Sequence, residues 1–375
     1  MTPAHVSKGL DDVVVGKSSV SWVGGTTGDL VYRGFDVRDL VPGVPYESIV
    51  HLLLYGDPPA SDPSPEVVRA LGSARKIPVS AERVVDALPR ELPPLEALRT
   101  ILSSLGDGSF GYPPTAEEGF RLIAETPILL ARYVRRARDE PVLSPRPDLG
   151  HAANYLWMLT GSEASPERVH ALEGYLCLLA DHGMNASTFA LRVAISTQSD
   201  LVSAATAALA TLKGPLHGGA PSLVSEMLDQ IGTPGNAEAW VNARLARRER
   251  LFGFGHRAYK TEDPRGVVLH RIARSVADPA RLELAETVER VALAALEKAR
   301  PGSRLYTNVE YYSALVLEAV GLTREMFTPT FAVARTAGWT AHALEQSADN
   351  RLIRPEVEYV GPAKGRRWPR RLAGA

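Results

Sequence analysis

A chain of 375 residues exceeds the usual size of one domain, so two domains, or one large domain with a lobe, are the starting expectation. Its formal charge of -1, from 42 Lys+Arg against 43 Asp+Glu, lacks the basic excess of a nucleic-acid binder and points to small-molecule ligands. A single cysteine, Cys177, sits in the apolar run Leu176–Leu179, which rules out an intrachain disulfide and predicts an inert core thiol in a reducing compartment.

Met1–His5 has neither the basic nor the apolar region of a signal peptide, and no uninterrupted apolar stretch is long enough to span a bilayer, so a soluble cytoplasmic protein is expected. From about Val13 to Tyr32, β-branched and polar residues alternate around Gly24-Gly25 and Thr27-Gly28-Asp29, which predicts two or three short strands joined by tight turns. Beyond them the pattern turns helical. Ser64-Pro65 and Ser165-Pro166 each set a capping serine before a proline at the first helical position, and Thr115 with Glu118 fits a capping box. After Ser165, the residues Val169, Leu172, Leu176 and Leu179 recur at spacings of three and four; after Pro279, Leu284, Val288, Val291 and Ala295 do the same. Both stretches read as amphipathic helices. Residues 107–114 and 140–147 are rich in glycine, proline and polar types and read as surface connections. The basic residues around Trp368, from Lys364 to Arg371, read as a solvated or subunit-wrapping tail. The fold class expected is mostly α with a short N-terminal β element.

Three histidine segments stand out from residue 181 onward: Asp181-His182-Gly183-Met184-Asn185, Gly214-Pro215-Leu216-His217-Gly218-Gly219, and Gly253-Phe254-Gly255-His256-Arg257-Ala258-Tyr259-Lys260 followed by Asp263-Pro264-Arg265. Glycines around His217 let a ligand or another backbone approach closely, and an imidazole there is suited to donate to a developing oxyanion. The third segment superficially matches a dinucleotide fingerprint, but it follows the charged run Arg244–Arg250 and not a buried strand. As a loop it gathers His256, Lys260 and Arg265, with Asp263-Pro264 as the turn that returns Arg265 towards His256, a set suited to carboxylates and phosphates. Asn185-Ala186-Ser187-Thr188 reads as a helix start, and Asn308 can cap the helix that carries Glu310. Arg335, flanked by Phe331, Ala332, Val333 and Ala334, needs a counter-charge or an anionic ligand. Alone, His182 reads as a structural histidine and Arg354 as a surface arginine. No paired-cysteine or His-Glu-x-x-His spacing for a metal occurs, nor a Walker loop or Gly-x-Ser-x-Gly elbow.

In this order and context the histidine segments, together with Asn308-Val309-Glu310-Tyr311-Tyr312, closely resemble citrate synthase. The resemblance begins at Gly9–Val14 and Tyr32–Asp36 and runs to Arg351-Leu352-Ile353-Arg354-Pro355, so it spans almost the whole chain. It implies a large helical domain (residues 1–218 and 328–375) interrupted by a small one (219–327), with the active site in the cleft between them. It implies catalytic roles for His217, His256 and Glu310, and binding of the oxaloacetate carboxylates by His182, Arg265, Arg335 and Arg354, the last supplied by the neighbouring subunit of a homodimer. Lys260 is implied as a contact to CoA phosphates. The activity implied is condensation of acetyl-CoA with oxaloacetate and water to give citrate and CoA, an acyltransferase reaction of the tricarboxylic acid cycle with acyl-CoA as co-substrate and no bound cofactor or metal. Citrate synthases usually carry aspartate where this chain has Glu310. Two alternatives stay open: a 2-methylcitrate synthase using propionyl-CoA, since those enzymes share these motifs, and, because of Glu310, a weakly active ligand-binding or regulatory paralogue.

Overall fold

The computed structural model describes residues 6–11, 13–41, 43–218, 220–302, 305–362 and 364. The N-terminal β element consists of β1 (Ser21–Gly24) and β2 (Asp29–Tyr32), antiparallel with Ser21 opposite Tyr32 and Gly24 opposite Asp29, and of β3 (Phe35–Asp36), which pairs with β2. Its start differs from the expectation, because residues 13–18 form no strand. Val13, Val14 and Val15 are exposed, and β-branched residues become a strand only where a neighbour completes the ladder.

Helices follow in the order α1 (Val37–Leu40), α2 (Tyr46–Tyr55), α3 (Pro65–Ala74), α4 (Val79–Ala87), α5 (Pro94–Ser103), α6 (Ala116–Ala137), α7 (His151–Thr160), α8 (Pro166–Leu179), α9 (Ala186–Ser196), α10 (Leu201–Leu212), α11 (Ala220–Ile231), α12 (Ala237–Ala246), α13 (Pro264–Val276), α14 (Pro279–Ala299), α15 (Val309–Ala319) and α16 (Phe327–Ala348). The fold is thus mostly helical with a small N-terminal sheet. Local chemistry explains where helices start: the Ser64 and Ser165 hydroxyls accept from Val67 and Arg168 N–H, and Thr115 with Glu118 closes a reciprocal capping box.

Two helix faces differ from their periodicity. In α8 the stretch Gly174–Leu179 is buried on every side, so the helix is a core element and not an amphipathic one; Cys177 lies fully buried within it. In α14 the buried stripe runs Leu284, Ala285, Val288, Ala292 and Leu296, leaving Val291 and Ala295 only half-buried. Beyond Val288 the chain could continue the stripe three or four residues on, and the packing selects the second.

The core is built around α16, which packs on α6, α8, α9 and α10. Trp339 and Arg335, both on α16, are among the largest fully buried side chains. A second group of helices packs mutually, α11 on α15, α12 on α14 and α13 on α15, and α13 also lies against α8. Residues 107–114 and 140–147 connect α5 to α6 and α6 to α7. Of the basic tail, only Lys364 lies within the described residues. Among those residues no helix is long and apolar enough to cross a membrane.

Candidate active site

The loop after α8, the turn after α10, the loop before α13 and the first turn of α15 converge. Each brings one of the residues singled out by sequence. His217 sits in a turn closed by its own N–H donating to the Gly214 carbonyl at 2.9 Å. A Cβ on Gly218 would meet the Leu212 carbonyl at 2.6 Å, so the turn can fold back this tightly only with glycine there. The Ser187 N–H, at the capped start of α9, points at His217 Nε2 at 3.3 Å, with Ser187 Oγ at 2.9 Å from the same nitrogen. Nε2 is therefore an acceptor, and the neutral ring carries its proton on Nδ1.

His256 is fixed the opposite way round. Its Nδ1 accepts from the N–H groups of Ala258 and Tyr259 at 3.0 and 3.1 Å, which leaves the proton on Nε2. Burial, with Arg335 for His217 and Arg265 for His256, pushes both rings down to about 4, so both are neutral donors at physiological pH. His256 Nε2 lies 3.4 Å from Arg265 Nη2. Two N–H donors that close, neither able to accept, converge on space suited to an anionic or carbonyl oxygen.

Arg265 occupies the first turn of α13 and is held by Asp263, whose carboxylate takes Nε at 3.0 Å and Nη2 at 2.8 Å. The same carboxylate caps α13 through Arg265 N–H and accepts the Val309 N–H at 3.1 Å, which ties the start of α15 to the start of α13. Asp263 thus does more than mark a turn. Its signal was available in the sequence, since Asp-Pro repeats the cap-then-proline signature of Ser64-Pro65 and Ser165-Pro166.

Arg335 is 1% exposed, its Nε donating to the Leu179 carbonyl at 2.8 Å and its guanidinium 4.7 Å over the Phe331 ring. Among the described residues it forms no direct ion pair; the nearest opposing charge that acts on it is the buried Asp181 carboxylate, so the guanidinium keeps donors to offer an anion. His182 places Nε2 3.1 Å from the Tyr259 hydroxyl and its ring 5.5 Å from that of His256. Burial and then Arg265 keep it well below its ordinary value, hence neutral. Tyr259, which no sequence signal marked, bridges the two histidine loops.

Glu310 follows Asn308, whose side chain caps α15 through the Glu310 N–H at 3.0 Å. Burial raises its carboxyl to about 7, against the opposing pull of Arg265 and Arg250. It is not the solvent-facing helix residue that a carboxylate in a first turn often is. The Phe254–Thr307 bridge and the Asn308 Nδ2 donation to the Gly255 carbonyl at 2.9 Å join the His256 loop to the segment entering α15. Glu310 and His256 are therefore built on one continuous support.

Lys260 is exposed and lines, with Gly255, His256, Thr261 and Tyr306, a cavity of about 290 Å³ beside this cleft. Arg354 is not brought to the cluster: it lies exposed in the extended segment after α16 of its own chain. Among the described residues no group of three or more His, Cys, Asp or Glu is arranged to hold a metal ion.

A mostly helical fold thus brings together buried guanidinium groups, neutral imidazole donors and a carboxyl raised to about 7, a set suited to anionic ligands. The family model described as citrate synthase, C-terminal domain, matches residues 9–356. A citrate synthase of Deinococcus radiodurans is 36% identical over 96% of both chains, and a citrate/2-methylcitrate synthase of Bacillus subtilis is 36% identical over 96% of this chain and 97% of its own. The crystal structure of Thermoplasma acidophilum citrate synthase, a ternary complex with carboxymethyl coenzyme A and oxaloacetate, superposes with a TM-score of 0.90 at 32% identity over 97% and 98% of the two chains. The chain belongs to the citrate synthase family, whose members are transferases.

Proposed function

We propose that this enzyme condenses acetyl-CoA with oxaloacetate and water, giving citrate and CoA. The observation that carries the proposal is the pairing of a partly buried carboxyl raised to about 7 with two neutral imidazoles, His217 met by the Ser187 N–H and His256 by those of Ala258 and Tyr259, so that each ring has its one proton left to donate. Glu310 takes a proton from the acetyl methyl group while His217 Nδ1–H donates to the thioester oxygen, stabilising the enolate as it forms. The nucleophilic carbon then attacks the oxaloacetate ketone. His256 Nε2–H donates to that ketone oxygen, which gains a proton as the carbon–carbon bond is made. Water then cleaves the citryl thioester and CoA leaves.

Arg265 and Arg335 hold the oxaloacetate carboxylates with His182, and the lack of an ion pair at Arg335 supports its share of this role. Lys260, on the rim of the adjacent cavity, meets CoA phosphates. Arg354, exposed on its own chain, completes the site of a partner copy in a homodimer. In this proposal residues 219–327 form the small domain and 1–218 with 328–375 the large one. A second reading, a 2-methylcitrate synthase acting on propionyl-CoA, is favoured by the relative named for both products. Release of CoA from acetyl-CoA and from propionyl-CoA in the presence of oxaloacetate tests both. Faster release from acetyl-CoA is expected; preference for propionyl-CoA selects the second reading, and no release from either at high enzyme concentration removes both.

A further inference from the structure

The N-terminal hairpin touches two of the three histidine loops, although neither its sequence nor its position marks it as part of a site. At one end Ser21 Oγ donates to the Asp181 carboxylate and accepts from the Gly183 N–H at 2.9 Å. Beside it the Tyr32 hydroxyl donates towards the carbonyls of Leu178 and Asp181 at 3.0 and 2.9 Å and accepts from the Asp181 N–H at 3.2 Å. These bonds bracket His182. At the other end the Lys260 N–H donates to the Gly25 carbonyl at 2.7 Å, and the Tyr259 hydroxyl, which contacts His182, reaches the Asp29 carbonyl at 3.4 Å.

The β1–β2 turn and the His256 loop meet with no room for a side chain at position 25 or 28. A Cβ at position 25 would lie 2.5 Å from the Ala258 carbonyl oxygen, and one at position 28 would lie 2.6 Å from Thr261 Oγ1 and 3.2 Å from the Glu262 carbonyl. Ala258 and Tyr259 are the residues whose N–H groups hold His256 Nδ1 and so set its tautomer. The backbone that the turn presses on is thus the backbone that aims the His256 proton.

We infer that the hairpin is a clamp that sets the His256 loop against the His182 loop, with Gly25 and Gly28 as positioning residues and Tyr259 as the link between the two loops. The inference rests on the reaction proposed above, in which His256 Nε2–H must meet the oxaloacetate ketone. An alanine methyl at position 25, where backbone conformation is no obstacle, drives the Ala258 carbonyl back by roughly an ångström, a displacement that costs on the order of 100-fold in rate when it falls on a donor.

The test is Gly25→Ala in the full-length protein, read by steady-state kinetics, by calorimetry with oxaloacetate, and by hydrogen–deuterium exchange of peptides covering residues 256–263. A kcat on the order of 100-fold lower is expected, with a raised KM and Kd for oxaloacetate, an unchanged KM for acetyl-CoA, and faster exchange confined to residues 256–263. A variant that keeps wild-type kcat and oxaloacetate affinity, or one whose exchange rises uniformly across the core, overturns the clamp. If Gly25→Ala does not fold, Tyr259→Phe, which adds no atom, serves instead. Weaker oxaloacetate binding at unchanged melting temperature supports the clamp, and unchanged binding refutes it. A wild-type protein that releases no CoA defeats the proposed reaction alone, because oxaloacetate affinity and exchange still report on the clamp.

Discussion

Replacing Glu310 by glutamine tests base and environment together. Burial raises this carboxyl from 4.5 to about 7, so the folded state holds a proton that the unfolded chain has released across that interval. Stability then falls as pH rises from about 4.5 to about 7, and the penalty is fully present above 7 and absent below 4.5. At one pH unit per 1.36 kcal/mol the full penalty is at most about 3 kcal/mol. Glutamine, which cannot ionise, removes it. Urea unfolding of Glu310→Gln without ligands should therefore show a gain of up to about 3 kcal/mol at pH 8, shrinking to about 1 kcal/mol at pH 5.5. In a chain of this length the larger gain is a rise of roughly 4 °C in melting temperature. The same variant should lose on the order of 100- to 10,000-fold in kcat while still binding oxaloacetate. In the wild type, kcat/KM for acetyl-CoA should rise with pH to a midpoint of about 7. Glu310→Asp, which keeps the acid and restores the family's usual residue, should retain or raise activity. A stability gain of Glu310→Gln over wild type that is no larger at pH 8 than at pH 5.5 refutes the desolvated carboxyl, and a kcat within tenfold of wild type refutes its role as base.

Arg335→Gln should abolish the rise in melting temperature that oxaloacetate produces, and differential scanning fluorimetry reads it; an undiminished rise refutes a role for Arg335 in binding. Asp263→Ala strips Arg265 of its bidentate partner and both α13 and the Val309 N–H of an acceptor, and denaturant titration should show a loss of about 3–5 kcal/mol. Mixing unfolded Arg354→Ala and Glu310→Gln chains, each inactive alone, and refolding them together should recover CoA release, because one site of a mixed dimer then holds both intact residues. No recovery would count against a site shared between subunits.

Much of this molecule is written locally. Helix starts at Pro65, Ala116 and Pro166 follow from a serine or threonine cap beside proline or glutamate, an arrangement that needs no knowledge of what packs nearby. Local chemistry marked the His217 and His256 segments, Arg265 and Arg335, because glycine-rich turns and a charge set among apolar neighbours are costly without a purpose, whereas His182 and Glu310 were marked only by the family resemblance. Asp263 was half-legible: its cap signature is local, but its hold on the Val309 N–H joins residues 46 apart in sequence. Tyr259, Ser187 and the hairpin clamp were not legible at all. Their roles rest on hydrogen bonds across sequence separations of 77, 30 and over 200 residues, which no periodicity encodes.

Sequence alone therefore determined the chemical inventory and the helical class, because residue type, capping and period are properties of the chain within a few residues. Tertiary structure decided the states of that inventory. Which imidazole nitrogen carries the proton depends on which backbone N–H meets the other one. The affinity of Glu310 for its proton depends on how much water the packed helices exclude, and the charge balance of Arg335 on Asp181, which the loop after α8 brings near it. Each of these is a property of neighbours brought together from distant segments, and burial multiplies their effect by removing the solvent that would otherwise level them.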